Sequence, residues 1–398
     1  MILNSPPGCS VYSRTFHVPA MPPEWDGRVR EVGRFEWWVG DGGDPLELLG
    51  EFLTGAGLGL DGAGGAVDGA ALLISAAAGA AAMGAPVGAP SPCPAVPDVV
   101  AVLHARTDAT EGDVPGPWHC GPWRGSWSPA EHADAVQEVR AAIARGDVYQ
   151  ANVVGHRSAA CSGDPTGALR AVAGLPGATY GGVLTGAGWA VASGSLECLV
   201  TVEGGRVSTR PVKGTRPRTA RGRAELLASS KERAEHVMIV DLERNDLSRV
   251  ARTGTVRVDE LFALREWCDL WQAESVVSAE LRDGADLVDV LRALCPGGSV
   301  TGAPKSSALR LVSALEPVGR GPSMGALGYL TPGRLDLGLT IRTIAVAGDR
   351  VHLWTGGGIT WGSDPWDEVA EADAKAAPVL SALAGAAVRS GPRGPGPR

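Results

Sequence analysis

Short apolar segments joined by tight glycine turns recur along the chain from residue 148 onward. The clearest pair, residues 199–202 and 206–209, flanks Glu203-Gly-Gly205 and predicts a β-hairpin. The sequence contains 56 glycines and 29 prolines among 398 residues, which indicates many turns. Helical segments stand between the strands, most clearly residues 129–145, with Ser128 as the predicted N-cap and Gly146 as the end. This order predicts an α+β fold with antiparallel sheet rather than a doubly wound parallel sheet.

Hydrophobic periodicity predicts the remaining elements and a change of organisation near residue 125. Residues 70–83, rich in Ala, predict one helix, and residues 220–250 predict one long helical stretch. Residues 337–344 predict a strand and residues 367–384 a helix. We expect an N-terminal α+β region at residues 1–125, a second domain at 126–387, and a disordered tail at 388–398.

Composition argues against several classes of protein. The net charge of −8 and the pI of about 5.5 argue against a nucleic-acid binder, which normally presents a basic face. The most apolar stretch, residues 69–89, is mainly Ala and Gly and contains Pro86, so no membrane span is predicted. The seven cysteines never form Cys-x-x-Cys, and the N-terminus lacks a signal-peptide pattern. We therefore expect a cytoplasmic protein without a zinc site or a disulfide framework.

Lysine is rare in this chain. Of the 36 basic residues only four are lysines, namely Lys213, Lys231, Lys305 and Lys375. Arginine stays protonated, whereas a lysine can lose its proton and attack an electrophile. The retained lysines are therefore candidates for chemistry, although any single one could have survived by chance.

Two predicted helices each present two carboxylates three residues apart. Glu232 and Glu235 form one pair, and Glu368 and Glu371 form the other, with Lys375 four residues further on. Like charges at this spacing repel one another unless a cation relieves them. Oxygen ligands with no Cys or spare His nearby suit Mg²⁺. The alternative interpretation is a solvated face with an ordinary Glu371–Lys375 surface pair.

Arg342 lies in an otherwise apolar predicted strand. An unpaired guanidinium there would be costly, so we expect an anion partner, either a fixed Asp or Glu or a ligand carboxylate. The glycines Gly356, Gly357 and Gly358 follow a predicted strand and could offer backbone N–H groups to the same carboxylate.

Five blocks, in order along the chain, resemble the motifs of chorismate-utilising enzymes, specifically aminodeoxychorismate synthase component I, which is related to anthranilate synthase component I. The blocks are Gly146-Asp-Val-Tyr-Gln-Ala-Asn152; Pro211-Val-Lys-Gly-Thr-Arg-Pro-Arg218; Lys231-Glu-Arg-Ala-Glu-His-Val-Met-Ile-Val-Asp-Leu-Glu-Arg-Asn-Asp246; Pro296-Gly-Gly-Ser-Val-Thr-Gly-Ala-Pro-Lys305; and Gly356-Gly-Gly-Ile-Thr360 with Ser363-Asp-Pro365 and Glu371-x-x-x-Lys375. The resemblance covers about residues 128–383, and all four lysines fall inside the blocks.

The resemblance implies a fold, a cofactor and a substrate. The fold would be a large antiparallel β-sandwich of two packed sheets with helices outside, and the N-terminal region would complete the sheet core. Glu235 and Glu371 would be the principal Mg²⁺ ligands, supported by Glu232 and Glu368. One chorismate carboxylate would bind Mg²⁺, and the other would bind Arg342 and the Gly356–Gly358 turn. Further candidate substrate contacts are Ser299, Thr301, Thr215 and Lys375.

The residue at position 213 indicates which chorismate reaction to expect. Anthranilate, isochorismate and salicylate synthases typically have Ala there, whereas aminodeoxychorismate synthases resemble this chain in having Lys. The implied mechanism is attack of the Lys213 amine on C2 with loss of the C4 hydroxyl, followed by attack of ammonia at C4. It requires a neutral amine and a general acid, for which Glu197 is the candidate. The chain departs from the family pattern at Leu196, Gln272 and Ser323, where relatives commonly have Pro, His and Tyr.

The source of ammonia and the competing functions stay open at this point. The sequence has no Gly-x-Cys-x-Gly-His block, so ammonia would come from solution or from a separate glutamine amidotransferase subunit. The product would lead to p-aminobenzoate for folate or specialised metabolism. The alternatives are anthranilate, aminodeoxyisochorismate or isochorismate synthesis, and a degenerate scaffold for an amidotransferase. The scaffold would be expected to lack Lys213, Glu235 or Glu371, all of which are present.

Overall fold

The computed structural model describes residues 29–62, 65, 67–107 and 115–389. Most of the predicted disordered tail, residues 390–398, lies outside the described residues, whereas residues 388 and 389 belong to the last helix.

Strands and helices alternate along the described chain. The strands are β1 (Val29–Trp37), β2 (Gly69–Ile74), β3 (Val99–Arg106), β4 (Trp118–Cys120), β5 (Arg124–Gly125), β6 (Gln150–Gly163), β7 (Tyr180–Gly186), β8 (Trp189–Ser195), β9 (Cys198–Glu203), β10 (Arg206–Arg210), β11 (Val212–Pro217), β12 (Arg257–Trp267), β13 (Leu270–Glu280), β14 (Gly302–Ala303), β15 (Ala326–Thr331), β16 (Arg334–Leu339), β17 (Thr343–Ala347) and β18 (Arg350–Ile359). The helices are α1 (Pro45–Gly55), α2 (Ala76–Ala82), α3 (Pro129–Arg145), α4 (Thr166–Ala173), α5 (Ala220–Ala228), α6 (Ser230–Ser248), α7 (Leu287–Leu294), α8 (Gly298–Thr301), α9 (Lys305–Leu315) and α10 (Pro365–Arg389).

The strands form two antiparallel sheets. The larger sheet has ten strands in the order β1-β3-β2-β15-β16-β9-β10-β13-β11, with β12 beside β13. The smaller has eight, in the order β14-β6-β18-β17-β8-β7, with β4 and β5 beside β6. One apolar core contains buried side chains of both sheets, such as Leu337 of the larger and Val191 of the smaller. The predicted α+β fold with two packed antiparallel sheets is confirmed.

Strands from the N-terminal region lie inside the same sheets as the rest of the chain. Strand β2 pairs with β15 over five residues, from Ala326↔Ile74 to Leu330↔Ala70. Strands β4 and β5 pair with β6 in the smaller sheet. The boundary near residue 125 stays a prediction. None of the described helices is long and apolar enough to cross a membrane.

Three predicted elements are wrong in a way that tertiary contacts explain. Residues 70–83 form β2 and then α2, because the buried apolar run before Ser75 pairs with β3 and β15 on both edges. The stretch 220–250 is interrupted at Ser229, whose side chain accepts a hydrogen bond from Glu232 N (3.2 Å) and caps α6. Residues 337–344 are not one strand, since β16 belongs to the larger sheet and β17 to the smaller.

Helix α3 begins and ends as predicted. The Ser128 side chain accepts from Glu131 N, and the Glu131 side chain accepts from Ser128 N, which together form a capping box. Gly146 ends the helix in the left-handed conformation (φ 83°). The hairpin of β9 and β10 across Gly204 and Gly205 is also observed.

Candidate active site

One polar cavity lies where β11, α6, α8, α10 and β18 meet. Most of the site residues predicted from the sequence line it: Lys213, Glu197, Arg342, Gly356, Gly358, Ser299, Thr215, Lys375, Glu232, Glu235, Glu368 and Glu371. Thr301 and Gly357 are not among its lining residues. The structure therefore brings together side chains that are up to 178 positions apart in sequence, from Glu197 to Lys375.

Lys213 projects from β11 with its amine enclosed. The strand is bulged between Lys213 and Thr215, with Gly214 at φ 80° between them. The Lys213 Nζ donates to the Ser299 carbonyl (3.2 Å), and in the described part of the chain it forms no salt bridge. Burial lowers the pKa of the amine; Glu197 and Glu235 oppose that shift and Lys375 adds to it. A neutral, nucleophilic amine is therefore favoured at lower pH than for a free lysine.

Glu197 lies in the turn between β8 and β9 and is buried. Burial raises the pKa of its carboxyl, against the opposing effects of the Ser299 hydroxyl, Lys213 and the Val212 N–H, which donates to Oε1 (3.3 Å). Where the family has Pro, Leu196 packs into the core, and the Ser195 hydroxyl accepts from Glu197 N (3.1 Å). The turn is thus formed by a hydroxyl instead of a proline.

Arg342 is not within a strand, which corrects the expectation from the sequence. It lies in the connection where the chain leaves the larger sheet for the smaller, at φ 52°. The side chain is 5% exposed and its guanidinium lies 4.5 Å from the centre of the Trp267 ring. Burial lowers its pKa to about 10. Among the described residues Nε has no hydrogen-bond partner and no fixed carboxylate pairs with it, so the group can receive a ligand anion.

Three of the four glutamates predicted as metal ligands have the following cationic or hydroxyl partners. Glu371 pairs with Lys375 Nζ (2.7 Å), which lowers the pKa of its carboxyl. Glu232 pairs with Arg216 (3.0 Å). Glu235 accepts from the Thr360 hydroxyl (2.9 Å) and lies 3.8 Å from Lys231.

The carboxylates also repel one another. The pKa of Glu232 is raised by burial and then by Glu235, and that of Glu368 by burial and then by Glu371. Added positive charge would relieve this repulsion, and the oxygen donors fit a hard divalent ion such as Mg²⁺. No three acidic, His or Cys side chains of the described ranges already converge on one point, so Mg²⁺ stays a prediction.

The glycines of β18 allow close approach to the cavity, and they lie within the strand instead of after it. A Cβ at Gly358 would lie 2.8 Å from Lys213 Nζ, and one at Gly357 would lie 3.0 Å from Glu368 Oε2. The Gly356 carbonyl accepts from Lys375 (2.9 Å). Since all three pair with β6, part of their backbone hydrogen-bonding capacity is used in the sheet.

The other predicted contacts divide into two groups. Ser299 and Thr215 line the cavity, and Thr215 Oγ1 accepts from Gln272 Nε2 (3.3 Å). Thr301 is fully buried and donates to the Gly297 carbonyl (2.8 Å), so it holds the α8 turn.

Several residues that line the cavity were not predicted. Among them are Asn152, Met324, Trp354 and Thr355, together with Gln272 and Lys231, which the sequence singled out without assigning a role in the site. Asn152 and Lys231 stand at the edges of motif blocks and could have been found there. Met324 gives no signal in sequence, because it reaches the cavity through a left-handed backbone (φ 60°).

The chain is similar to known proteins in sequence and in fold. Residues 91–381 match the family described as chorismate binding enzyme. Aminodeoxychorismate synthase component 1 of Bacillus subtilis is 37% identical over 258 residues, covering 63% of this chain and 55% of the relative. Anthranilate synthase component 1 of Streptomyces coelicolor is 38% identical over 269 residues, covering 66% and 53%. The chain thus spans about half the length of the curated relatives that it matches.

A solved structure shares the fold. Anthranilate synthase component I from Streptococcus pneumoniae superposes with a TM-score of 0.76 at 23% identity, covering 95% of both chains. At this identity the likeness concerns the fold alone.

Proposed function

Because this chain belongs to the chorismate binding enzyme family, we propose that it is the aminating subunit of a 4-amino-4-deoxychorismate synthase. The observation that carries the proposal is the Lys213 amine, enclosed in the cavity without a salt bridge among the described residues and with a lowered pKa. Such an amine can serve as a nucleophile, which an alanine at this position could not.

The substrate's carboxylates would be held at two places. Arg342 has an unpartnered Nε and can receive one carboxylate in a charge-assisted hydrogen bond. Glu235 and Glu371, with Glu232 and Glu368 in support, would hold Mg²⁺. When bound, the ion supplies positive charge for the second carboxylate.

The proposed covalent step uses two side chains that line the cavity, Lys213 and Glu197. The Lys213 nitrogen forms a bond to C2, both conjugated ring double bonds shift by one position, and the C4–O bond breaks. Glu197 gives its proton to the departing oxygen, which leaves as water, and the resulting carboxylate takes up the proton that the lysine nitrogen loses.

Ammonia completes the exchange. It forms a bond to C4, both ring double bonds shift back, and the C2–N bond breaks. One proton of the new C4 ammonium passes to the lysine nitrogen, so Lys213 leaves as a neutral amine. The overall change converts chorismate and ammonia into aminodeoxychorismate and water.

The partner and the destination belong to the same proposal. Relatives are named component 1, which supports a second component, and we propose a glutamine amidotransferase that supplies ammonia. The product would serve p-aminobenzoate formation in the cytoplasm.

The test identifies the product and the adduct. Purified protein with chorismate, ammonium chloride and MgCl₂ is expected to release aminodeoxychorismate, detected by mass spectrometry, and acid-quenched protein is expected to carry a chorismate-derived mass on Lys213. Lys213→Ala should lower amination by at least about 10³-fold, since covalent catalysis is lost, while keeping the same thermal midpoint.

Anthranilate synthesis is the second candidate, since relatives with that name match at 38% identity. Release of anthranilate and pyruvate by the wild type would favour it. Undiminished aminodeoxychorismate production by Lys213→Ala would contradict the covalent route.

A further inference from the structure

A second cleft lies beside the active-site cavity, between α3, α10 and the smaller sheet. The residues that matter in it are Trp127, His132, His156, Arg157, Thr355 and Asp373. Its volume of about 190 Å³ holds several molecules of water size, at about 30 Å³ each. Thr355 lines both this cleft and the active-site cavity, so the two meet at that residue.

The Thr355 hydroxyl has no protein partner. The residue is 3% exposed, and within the described ranges Oγ1 makes no hydrogen bond. A buried hydroxyl without a partner is disfavoured, and binding of a small polar molecule is one way to satisfy such a group. The position therefore suits transient binding of a small molecule that forms hydrogen bonds.

Glycines keep the space on either side of Thr355 open. Thr355 pairs with Gly155 across β18 and β6, so both face the same side of the sheet. A Cβ at Gly155 would lie 3.0 Å from Trp127 Nε1 and 3.6 Å from His132 Nδ1, inside the cleft.

The same face leads on to the active site. Gly357 follows Thr355 by two positions along β18 and faces the same side. A Cβ there would lie 3.0 Å from Glu368 Oε2 and 3.5 Å from Lys375 Nζ, both of which line the active-site cavity. A line of two glycines and one threonine thus connects the cleft with the cavity.

The walls of the cleft are polar but carry little net charge. Burial lowers the pKa of His132, and it lowers that of His156 to about 3, so both rings are neutral near pH 7. At the rim Arg157 and Asp373 form an ion pair (2.7 Å). The active-site cavity, by contrast, is lined by five glutamates and three lysines. A small neutral molecule is therefore better suited to the cleft than an ion.

We propose that this cleft is the route by which ammonia reaches the active site, passing the Thr355 hydroxyl. The inference rests on the proposed amination reaction. Chorismate and its counter-ions would fill the main cavity, so the nitrogen nucleophile needs a separate path to the ring. Ammonia is of water size and neutral, and it can exchange hydrogen bonds with the unpartnered hydroxyl as it passes.

The test replaces Thr355 by Val, which keeps the shape and removes the hydroxyl. Initial rates are measured with ammonium chloride as the nitrogen source, varying ammonium and chorismate separately. We expect kcat/KM for ammonium to fall about tenfold, the order of one lost hydrogen bond, with KM for chorismate unchanged within about twofold. The thermal midpoint should stay the same or rise, because the lost hydroxyl was unsatisfied.

Two matched variants accompany it. Thr355→Ser keeps a hydroxyl and is expected to retain wild-type ammonium kinetics. Thr201→Val removes a hydroxyl in the larger sheet that is bonded to Ser208 (2.7 Å), and it should leave ammonium kinetics unchanged.

The outcomes separate this inference from the proposed function. If the wild type aminates chorismate and Thr355→Val has the same kcat/KM for ammonium, the route is wrong and the reaction stands. If KM for chorismate rises in parallel, Thr355 is a substrate contact and the route is again wrong. If the wild type yields no aminated product, both proposals fall.

Discussion

Glu197 and Lys213 influence each other across the active-site cavity. The carboxylate form of Glu197 raises the pKa of the Lys213 amine, while burial shifts both groups toward their neutral forms. The proposed reaction uses both neutral forms at once, an uncharged amine and a protonated carboxyl. The rate should therefore rise with pH as Lys213 gains its neutral form and fall as Glu197 ionises.

Glu197→Gln should change that pH dependence in a defined way. Without the acid, kcat/KM for chorismate is expected to drop by about 10²–10⁴ and to lose its fall at high pH. The rate should still rise with pH as Lys213 becomes neutral, but at lower pH than in the wild type. The reason is that the carboxylate which stabilised the Lys213 ammonium is gone. Rates across pH 6 to 10 at constant free ammonia measure this. A fall at high pH that persists in Glu197→Gln would assign the acid to another group.

For single residues, the sequence predicts which side chains line the cavity, but it does not predict the backbone conformation that brings some of them there. The motif blocks predicted Lys213, Glu235 and Glu371, all of which line the cavity, because their chemistry is unusual at those positions. The left-handed backbone at Arg342 and the inward position of Met324 depend on the connection between sheets, which local periodicity does not contain.

Helices α6, α7 and α9 are held together by one buried lysine. Lys305 Nζ pairs with Asp246 (2.8 Å) and donates to the carbonyls of Ala293 (3.3 Å) and Pro296 (3.1 Å). It thus joins the end of α7, the segment before α8 and the helix that carries Glu232 and Glu235. Burial raises the pKa of Asp246, and Lys305 opposes that shift.

Replacing that lysine should destabilise the protein. Lys305→Met is expected to lower the free energy of unfolding by about 3–5 kcal/mol, since it leaves a carboxylate buried without a partner. Arg252→Met, which breaks an exposed pair with Glu280, is the control and should cost about 1 kcal/mol or less. Urea unfolding monitored by tryptophan fluorescence gives both values. Equal losses in the free energy of unfolding for the two substitutions would show that the buried ion pair stabilises the protein no more than the exposed one.

Elements whose limits depend on local sequence signals were predicted well, whereas elements that depend on pairing with distant strands were not. The capping box and terminal glycine of α3 set its limits in the sequence itself. Residues 70–83 are Ala-rich enough to favour helix, yet residues 70–74 belong to a central strand, because strands on both edges satisfy its backbone. No pattern in that segment reveals those neighbours.

The whole molecule depends on strands contributed by its N-terminal region. Removing residues 1–107 would leave β15 without β2, exposing the backbone groups of β15 that pair with it and removing the buried apolar side chains of β2 and β3 from the core. We expect the shortened chain to be insoluble or to lack a cooperative unfolding transition. Circular dichroism and size-exclusion chromatography measure this. A soluble, cooperatively folded fragment would instead support a catalytic domain that folds by itself from about residue 126.

The distribution of lysines has a practical consequence for anyone handling this protein. Lys213, Lys231 and Lys375 line the cavity and Lys305 is buried behind it, so every side-chain amine of the sequence belongs to this one region. Reagents that react with lysine side chains, such as succinimidyl dyes, biotinylation reagents and amine-coupling sensor surfaces, will consequently modify lysines of the active-site region instead of lysines elsewhere on the surface. Labels and immobilisation should use groups other than amines. A small acylating reagent, in turn, can be used to count intact active sites.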